Sequence, residues 1–276
     1  METYRKAIGR AAAIVMAATW MVGAVYPAKA EEDMWPSLRS EVFGDRPIKE
    51  SDGVVILDAP SRAEDAAVVP LTVRVPPAVK GPLKSMWLII DQNPAPVALT
   101  VTFGPAAGNG GGERRFTTRV RIDTYSYVHA VVETDDGTLH MTKAFVKASG
   151  GCAAPAPKDA DQASADLGKT VVKSFDPALQ TAALREAQIM IKHPNTNGLQ
   201  MDPDTRAYVP ARFIREVAVR RGSELVFKAE TSFSISANPN FRFTYENASE
   251  NTLEVTSIDT DETKFVGHST QVSITQ

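Results

Sequence analysis

The chain has 276 residues, 43% of them hydrophobic and 23% charged, with 18 prolines and 17 glycines. That is globular composition for about two turn-rich domains, and it excludes a disordered, collagenous or coiled-coil chain. A formal net charge of -3 offers no basic excess against phosphates, so nucleic acid is not an expected partner, and a single cysteine excludes an internal disulfide, an iron–sulfur site and a cysteine-rich zinc site.

The first thirty residues read as an address. Arg5, Lys6 and Arg10 precede the apolar run Ala11–Val25, and Pro27 then leads into Ala28-Lys29-Ala30. This is the pattern of a secretory signal peptide cleaved after Ala30, and its apolar run is short for a membrane span. No adjacent arginine pair stands in the basic segment, which favours general secretion over twin-arginine export. The only cysteine is far from the cleavage point, so a lipoprotein is not expected. The expectation is an exported, periplasmic protein with no membrane span after cleavage.

Beyond Glu31 the pattern predicts one helix and then strands. Trp35, Leu38 and Val42 share a helical face, with Asp33 as cap and Gly44 as stop. Leu71, Val73 and Val75 alternate with polar neighbours, as do Val97–Phe103 and Phe116–Ile122, so each strand turns one face to a core. Met86–Ile90 is apolar throughout and reads as a central strand. Asp136-Gly137 marks a hairpin between Val128–Glu133 and Leu139–Ala148. The glycine-rich stretch 108–112 lacks the Lys-Ser/Thr of a phosphate loop and reads as a mobile hairpin loop.

The composition then shifts. Ser149-Gly150-Gly151-Cys152-Ala153-Ala154-Pro155 runs into Ala156–Lys169, a small, polar linker that spans about 20–25 Å as a random coil. Strands resume at Ala187–Ile191, Val217–Val219, Leu225–Ala229, Phe241–Tyr245 and Leu253–Val255, with Arg221-Gly222 as a turn. Thr263–Val266 and Gln271–Thr275 close the chain. The fold class expected is all-β: two immunoglobulin-like β-sandwich domains in tandem, after a short N-terminal helix and a cleaved signal peptide. The divisions are 1–30, 31–148, an arm and flexible linker at 149–172, and 173–276.

Cys152 is the residue on which chemistry could rest. It is the sole thiol of a chain bound for an oxidising compartment, set between Gly150-Gly151 and two alanines. Small neighbours let a thiol enter a narrow cleft, and a thiolate can attack a sulfur electrophile and hold the product. Lys143, Lys147 and Lys158 lie near in sequence and favour the thiolate slightly. The plain alternative is a chance surface cysteine in a flexible linker. His129, His140, His193 and His268 have no metal-ligand spacing; His129 and His140 read as cross-strand packing on the hairpin. Asp259, Asp261 and Glu262 fit no EF-hand and read as a solvated turn.

Gly150-Gly151-Cys152 at the end of a β domain, with Trp35-Pro36-Ser37-Leu38 through Phe43-Gly44-Asp45 at its start, resembles SoxY. His193–Gly198 with Asp202 and Thr205, Val209–Ile214, Ser234–Phe243, and Asp259–Asp261 with Phe265 resemble SoxZ. The order is similar to the fused SoxYZ-like carriers associated with quinoprotein dehydrogenases. The resemblance implies a periplasmic carrier that itself catalyses nothing and uses no cofactor. In it Cys152 is the covalent attachment point for a sulfur compound and Gly150 and Gly151 give the arm its flexibility. A periplasmic c-type cytochrome or quinoprotein dehydrogenase is the implied partner. One departure stands out: the family's cysteine lies near a free C-terminus, whereas here Ala153-Ala154 and a linker follow, so the thiol is tethered at both ends. Two other readings remain at this level: a non-covalent adaptor docking an oxidoreductase, and a thiol enzyme or redox sensor, for which no resolving cysteine exists.

Overall fold

The computed structural model describes residues 33–154, 166–175, 183–202, 204–249 and 252–271. The expected signal segment, the linker from 155 to 165 and the stretch beyond 271 lie outside them.

The helix α1 spans Trp35–Phe43. The Asp33 carboxylate accepts the Trp35 N–H at 3.2 Å, and Gly44 at φ 60° ends the helix by donating its N–H to the Ser40 carbonyl. The buried face is Trp35, Leu38 and Phe43, with Val42 only partly covered. Among the described residues fifteen strands follow: β1 (Ile48–Glu50), β2 (Ile56–Asp58), β3 (Val69–Val75), β4 (Leu83–Ile90), β5 (Val97–Phe103), β6 (Arg114–Val120), β7 (Ser126–Thr134), β8 (Leu139–Val146), β9 (Thr170–Phe175), β10 (Leu184–Ile191), β11 (Ile214–Arg221), β12 (Glu224–Thr231), β13 (Asn240–Glu246), β14 (Leu253–Asp259) and β15 (Lys264–Gln271). Glycines at positive φ make the two expected tight turns, Gly137 between β7 and β8 and Gly222 between β11 and β12.

The strands form two layers. One runs β1-β8-β7-β4-β5-β12-β11-β14-β15, the other β9-β10-β13-β6-β3-β2, and a parallel β15–β9 pairing joins them. Both layers therefore cross from the first half of the chain into the second. Strand β5 pairs with β12 from Leu99↔Thr231 to Phe103↔Phe227, and β6 meets β13 at Thr117↔Arg242 and Phe116↔Phe243. The two sandwich halves are thus joined edge to edge, and they share one core. The described residues from Asp33 onward accordingly form a single compact unit. Two sheet edges that would each leave a row of unpaired N–H and C=O groups satisfy one another. The core beneath mixes both halves: Phe116 stacks edge-on to Phe227 at 5.4 Å, and Phe227 to Phe243 at 4.9 Å. Each such ring pair adds about 0.5–1.5 kcal/mol beyond its area burial.

The apolar run in β4 is explained by cover on both sides. Met86, Leu88 and Ile90 face the main core, while Ile89 and Trp87 face α1. Two expectations fail. The glycine-rich stretch 108–112 is not a hairpin loop, because β5 and β6 belong to different layers and the stretch carries the chain between them. It is packed in place: the Asn109 carbonyl accepts the Gly81 N–H, and a Cβ on Gly111 would lie 2.4 Å from the Cβ of Ala183. The linker also ends earlier than residue 172, since β9 begins at Thr170 and pairs with both β10 and β15.

Candidate functional site

The site is built where β6 leaves its sheet. Arg121 follows β6, donates its backbone N–H to the Ser234 carbonyl at 2.7 Å, and sends its buried guanidinium to the carbonyls of Phe233 (3.0 Å) and Ile235 (2.6 Å). Burial lowers its pKa to about 10. Asn93 secures the same corner, donating to the Arg121 carbonyl and Ser234 Oγ and accepting the Asp123 N–H. The result is a rigid ledge, 121–123, fixed from both halves of the chain.

The Gly-Gly-Cys segment lies on that ledge. Gly150 donates to the Asp123 carbonyl at 2.7 Å and Gly151 to the Ile122 carbonyl at 3.1 Å. The two glycines are needed for different reasons. Gly150 sits at φ 77°, in the left-handed region that other residues adopt at a cost. Gly151 has no room for a side chain, since a Cβ there would stand 2.1 Å from the Ala66 carbonyl oxygen and 2.6 Å from that of Ile122.

From the other side, Asn197 Nδ2 donates to the Cys152 carbonyl at 2.6 Å. Asn197 is held in turn: its N–H reaches Gln200 Oε1, and its Oδ1 accepts the Leu199 N–H. It belongs to the loop joining β10 to β11. Buried Asn195 pins that loop at φ 50°, donating to the Ile235 carbonyl and accepting the Ile214 N–H. Under the loop, His193 Nδ1 accepts the Asn195 N–H, so its proton sits on Nε2, which faces Asp259 at 3.5 Å. Burial holds His193 below its ordinary pKa. Burial alone would raise Asp259, but the Thr263 N–H and Arg212 keep it lowered, and Arg212 also pairs with Asp261 at 2.9 Å. That turn is thus partly a buried ion network rather than a solvated acidic one.

The thiol itself is enclosed: Cys152 is 0% exposed. Burial, with Asp123 adding to it and Arg121 opposing, pushes its pKa up to about 11. A mobile arm displaying a reactive thiol is the picture the sequence suggests; the structure holds the arm docked and the thiol enclosed, where burial favours its protonated form. The charges acting on it come from Arg121 and Asp123, not from the lysines nearby in sequence. Lys143 lies over the Tyr127 ring instead, and Lys158 falls outside the described residues. The histidines of the β7–β8 hairpin do not face each other: His129 pairs with Lys143 in register and bonds Asp91, while His140 bonds Asp52. Among the described residues no group of three metal-ligating side chains occurs, and no helix is long and apolar enough to cross a membrane. Nothing in the sequence points to Arg121, Asp123 or the steric role of Gly151. The motif containing Asn197 is visible there, but what the side chain holds is not.

Residues 39–152 match the family model for sulfur oxidation protein SoxY, and residues 175–270 match that for sulphur oxidation protein SoxZ. The chain belongs to the SoxYZ-like proteins. It is a SoxY domain and a SoxZ domain on one polypeptide. The SoxY match ends on Cys152 itself, and the SoxZ match contains Asn197. No curated protein matches the chain. Among solved structures it is similar to the sulfur carrier protein SoxY from Chlorobium limicola f thiosulfatophilum, with 23% identity over 41% of this chain and 94% of that one, TM-score 0.34. It is also similar to a superoxide reductase (neelaredoxin) from Ignicoccus hospitalis, with 17% identity over 36% and 93%, TM-score 0.30. Both families indicate a sulfur-oxidation carrier.

Proposed function

We propose that this chain is a periplasmic carrier that holds a sulfur-containing intermediate covalently on Cys152 and presents it to partner oxidoreductases. The observation that supports this most is the placement of the sole thiol. It ends the SoxY domain, directly against the SoxZ domain, and the hydrogen bonds that hold its segment there all go to backbone groups of the arm. Releasing such a segment breaks these backbone hydrogen bonds and uncovers the enclosed Cys152 side chain. The basic and apolar segment before Ala30 supports export. By family resemblance the partners are a c-type cytochrome or a quinoprotein dehydrogenase.

Intact mass spectrometry of the protein isolated from the periplasm, before and after reduction, tests the reading. The expected result is an added mass at Cys152 that reductant removes. Cys152→Ser folds normally, takes no load, and abolishes the oxidation the carrier serves. Full function of the serine variant would replace the covalent carrier with a non-covalent adaptor.

A further inference from the structure

The docked arm and the carrier role make opposite demands on Cys152. The thiol is wholly enclosed, while its segment is gripped at three backbone points: Gly150 on Asp123, Gly151 on Ile122, and the Cys152 carbonyl on Asn197. Two of these grips come from the SoxY domain and one from the SoxZ domain. Gly151 is pressed so close to the Ala66 and Ile122 carbonyls that the segment has no slack toward the ledge.

We propose that docking and loading exclude one another, and that Asn197 is the positioning residue that holds the unloaded arm. A group added to Sγ brings further heavy atoms into a place with no exposed surface, so the loaded segment cannot lie back on the ledge. The empty carrier parks its thiol; the loaded one presents its cargo. Burial agrees with this division, since it keeps the docked sulfur in the unreactive thiol form. The proposal rests on Cys152 being the attachment point.

Tetrathionate is a defined probe. After undocking, the Cys152 thiol gives its proton to solvent. The thiolate attacks an inner sulfur of tetrathionate, a new S–S bond forms, the central S–S bond breaks, and thiosulfate leaves with the electron pair. Cys152 then carries an S-thiosulfonate.

Asn197→Asp is nearly isosteric. It keeps the oxygen that accepts from Leu199 and loses only the donor to Cys152. Its loading rate, referred to the urea-unfolded protein, is expected to rise about tenfold, in line with the loss of one buried hydrogen bond. Its urea midpoint should move little, and Asn197→Ala should accelerate loading similarly without adding a charge. In the loaded wild type, hydrogen exchange at the Gly150 and Gly151 amides should speed up while β4 and β7 stay protected. Native Cys152 loading at the unfolded rate would overturn the proposal. So would a loaded arm whose glycine amides stay as protected as in the empty protein. Either result leaves the carrier reading standing. That reading instead falls if Cys152 carries no adduct in cells at all, whatever the loading kinetics in vitro.

Discussion

Gly151 shows how much one missing methyl can decide. A Cβ at that position would meet the Ala66 carbonyl oxygen at 2.1 Å and the Ile122 carbonyl oxygen at 2.6 Å, both on backbone that cannot give way. Gly151→Ala therefore cannot dock. Its Cys152 should react with thiol reagents at close to the unfolded rate, while the melting temperature barely changes because the sandwich core is untouched. A labelling time course beside a thermal melt checks both halves of that expectation. Cys152 adds a pH dependence. Its pKa when docked is about 11, against an ordinary 9.0. The undocked thiol thus loses its proton first as pH rises. Docking is at full strength below about pH 9 and weakens between pH 9 and 11, by up to about 3 kcal/mol. The ratio of native to unfolded labelling rate should be flat below about pH 9 and climb above it; a flat ratio to about pH 11 would contradict the buried-thiol assignment.

At the scale of elements, the strands are legible in the sequence and their partners are not. Period-two alternation locates β3, β5, β6 and β13; β3 and β6 bury every second residue, whereas β5 and β13 also bury neighbours such as Ala98 and Thr244 on the other face. The apolar run of β4 gives away its central place. Short edge strands such as β1 and β2 carry too few residues for any period to register, and they escape notice. Pairing of β5 with β12 joins positions far apart in the chain, and alternation says nothing about which edge meets which. The candidate site is legible to the same degree. A lone glycine-flanked cysteine stands out, but small neighbours suit a thiol packed under a close backbone as well as one on a swinging arm. Polar residues such as Asn195 and Asn197 look like loop residues in sequence. Their bonds to Ile235 and Cys152 exist only once the halves have met.

For the whole molecule, the seam between the domains is the central structural fact. Two sheet pairings and an aromatic cluster of Phe116, Phe227, Phe241 and Phe243 cross it. Cutting the polypeptide between residues 155 and 165 should leave the halves together on a sizing column. Expressed alone, each half would bare a long edge, β5 or β12, and should aggregate unless the other is co-expressed. Recovery of two soluble, monomeric halves would mean that the seam adds little.

The same seam has a consequence for how the protein behaves when scarce. Two separate chains with these edges would obey mass action and fall apart on dilution, taking the Asn197 grip on Cys152 with them. Here the connecting residues hold the second edge at an effective concentration in the millimolar range or above, whatever the amount of protein present. Assembly becomes a unimolecular step with fixed one-to-one stoichiometry, and the arm's dock is complete in every single molecule.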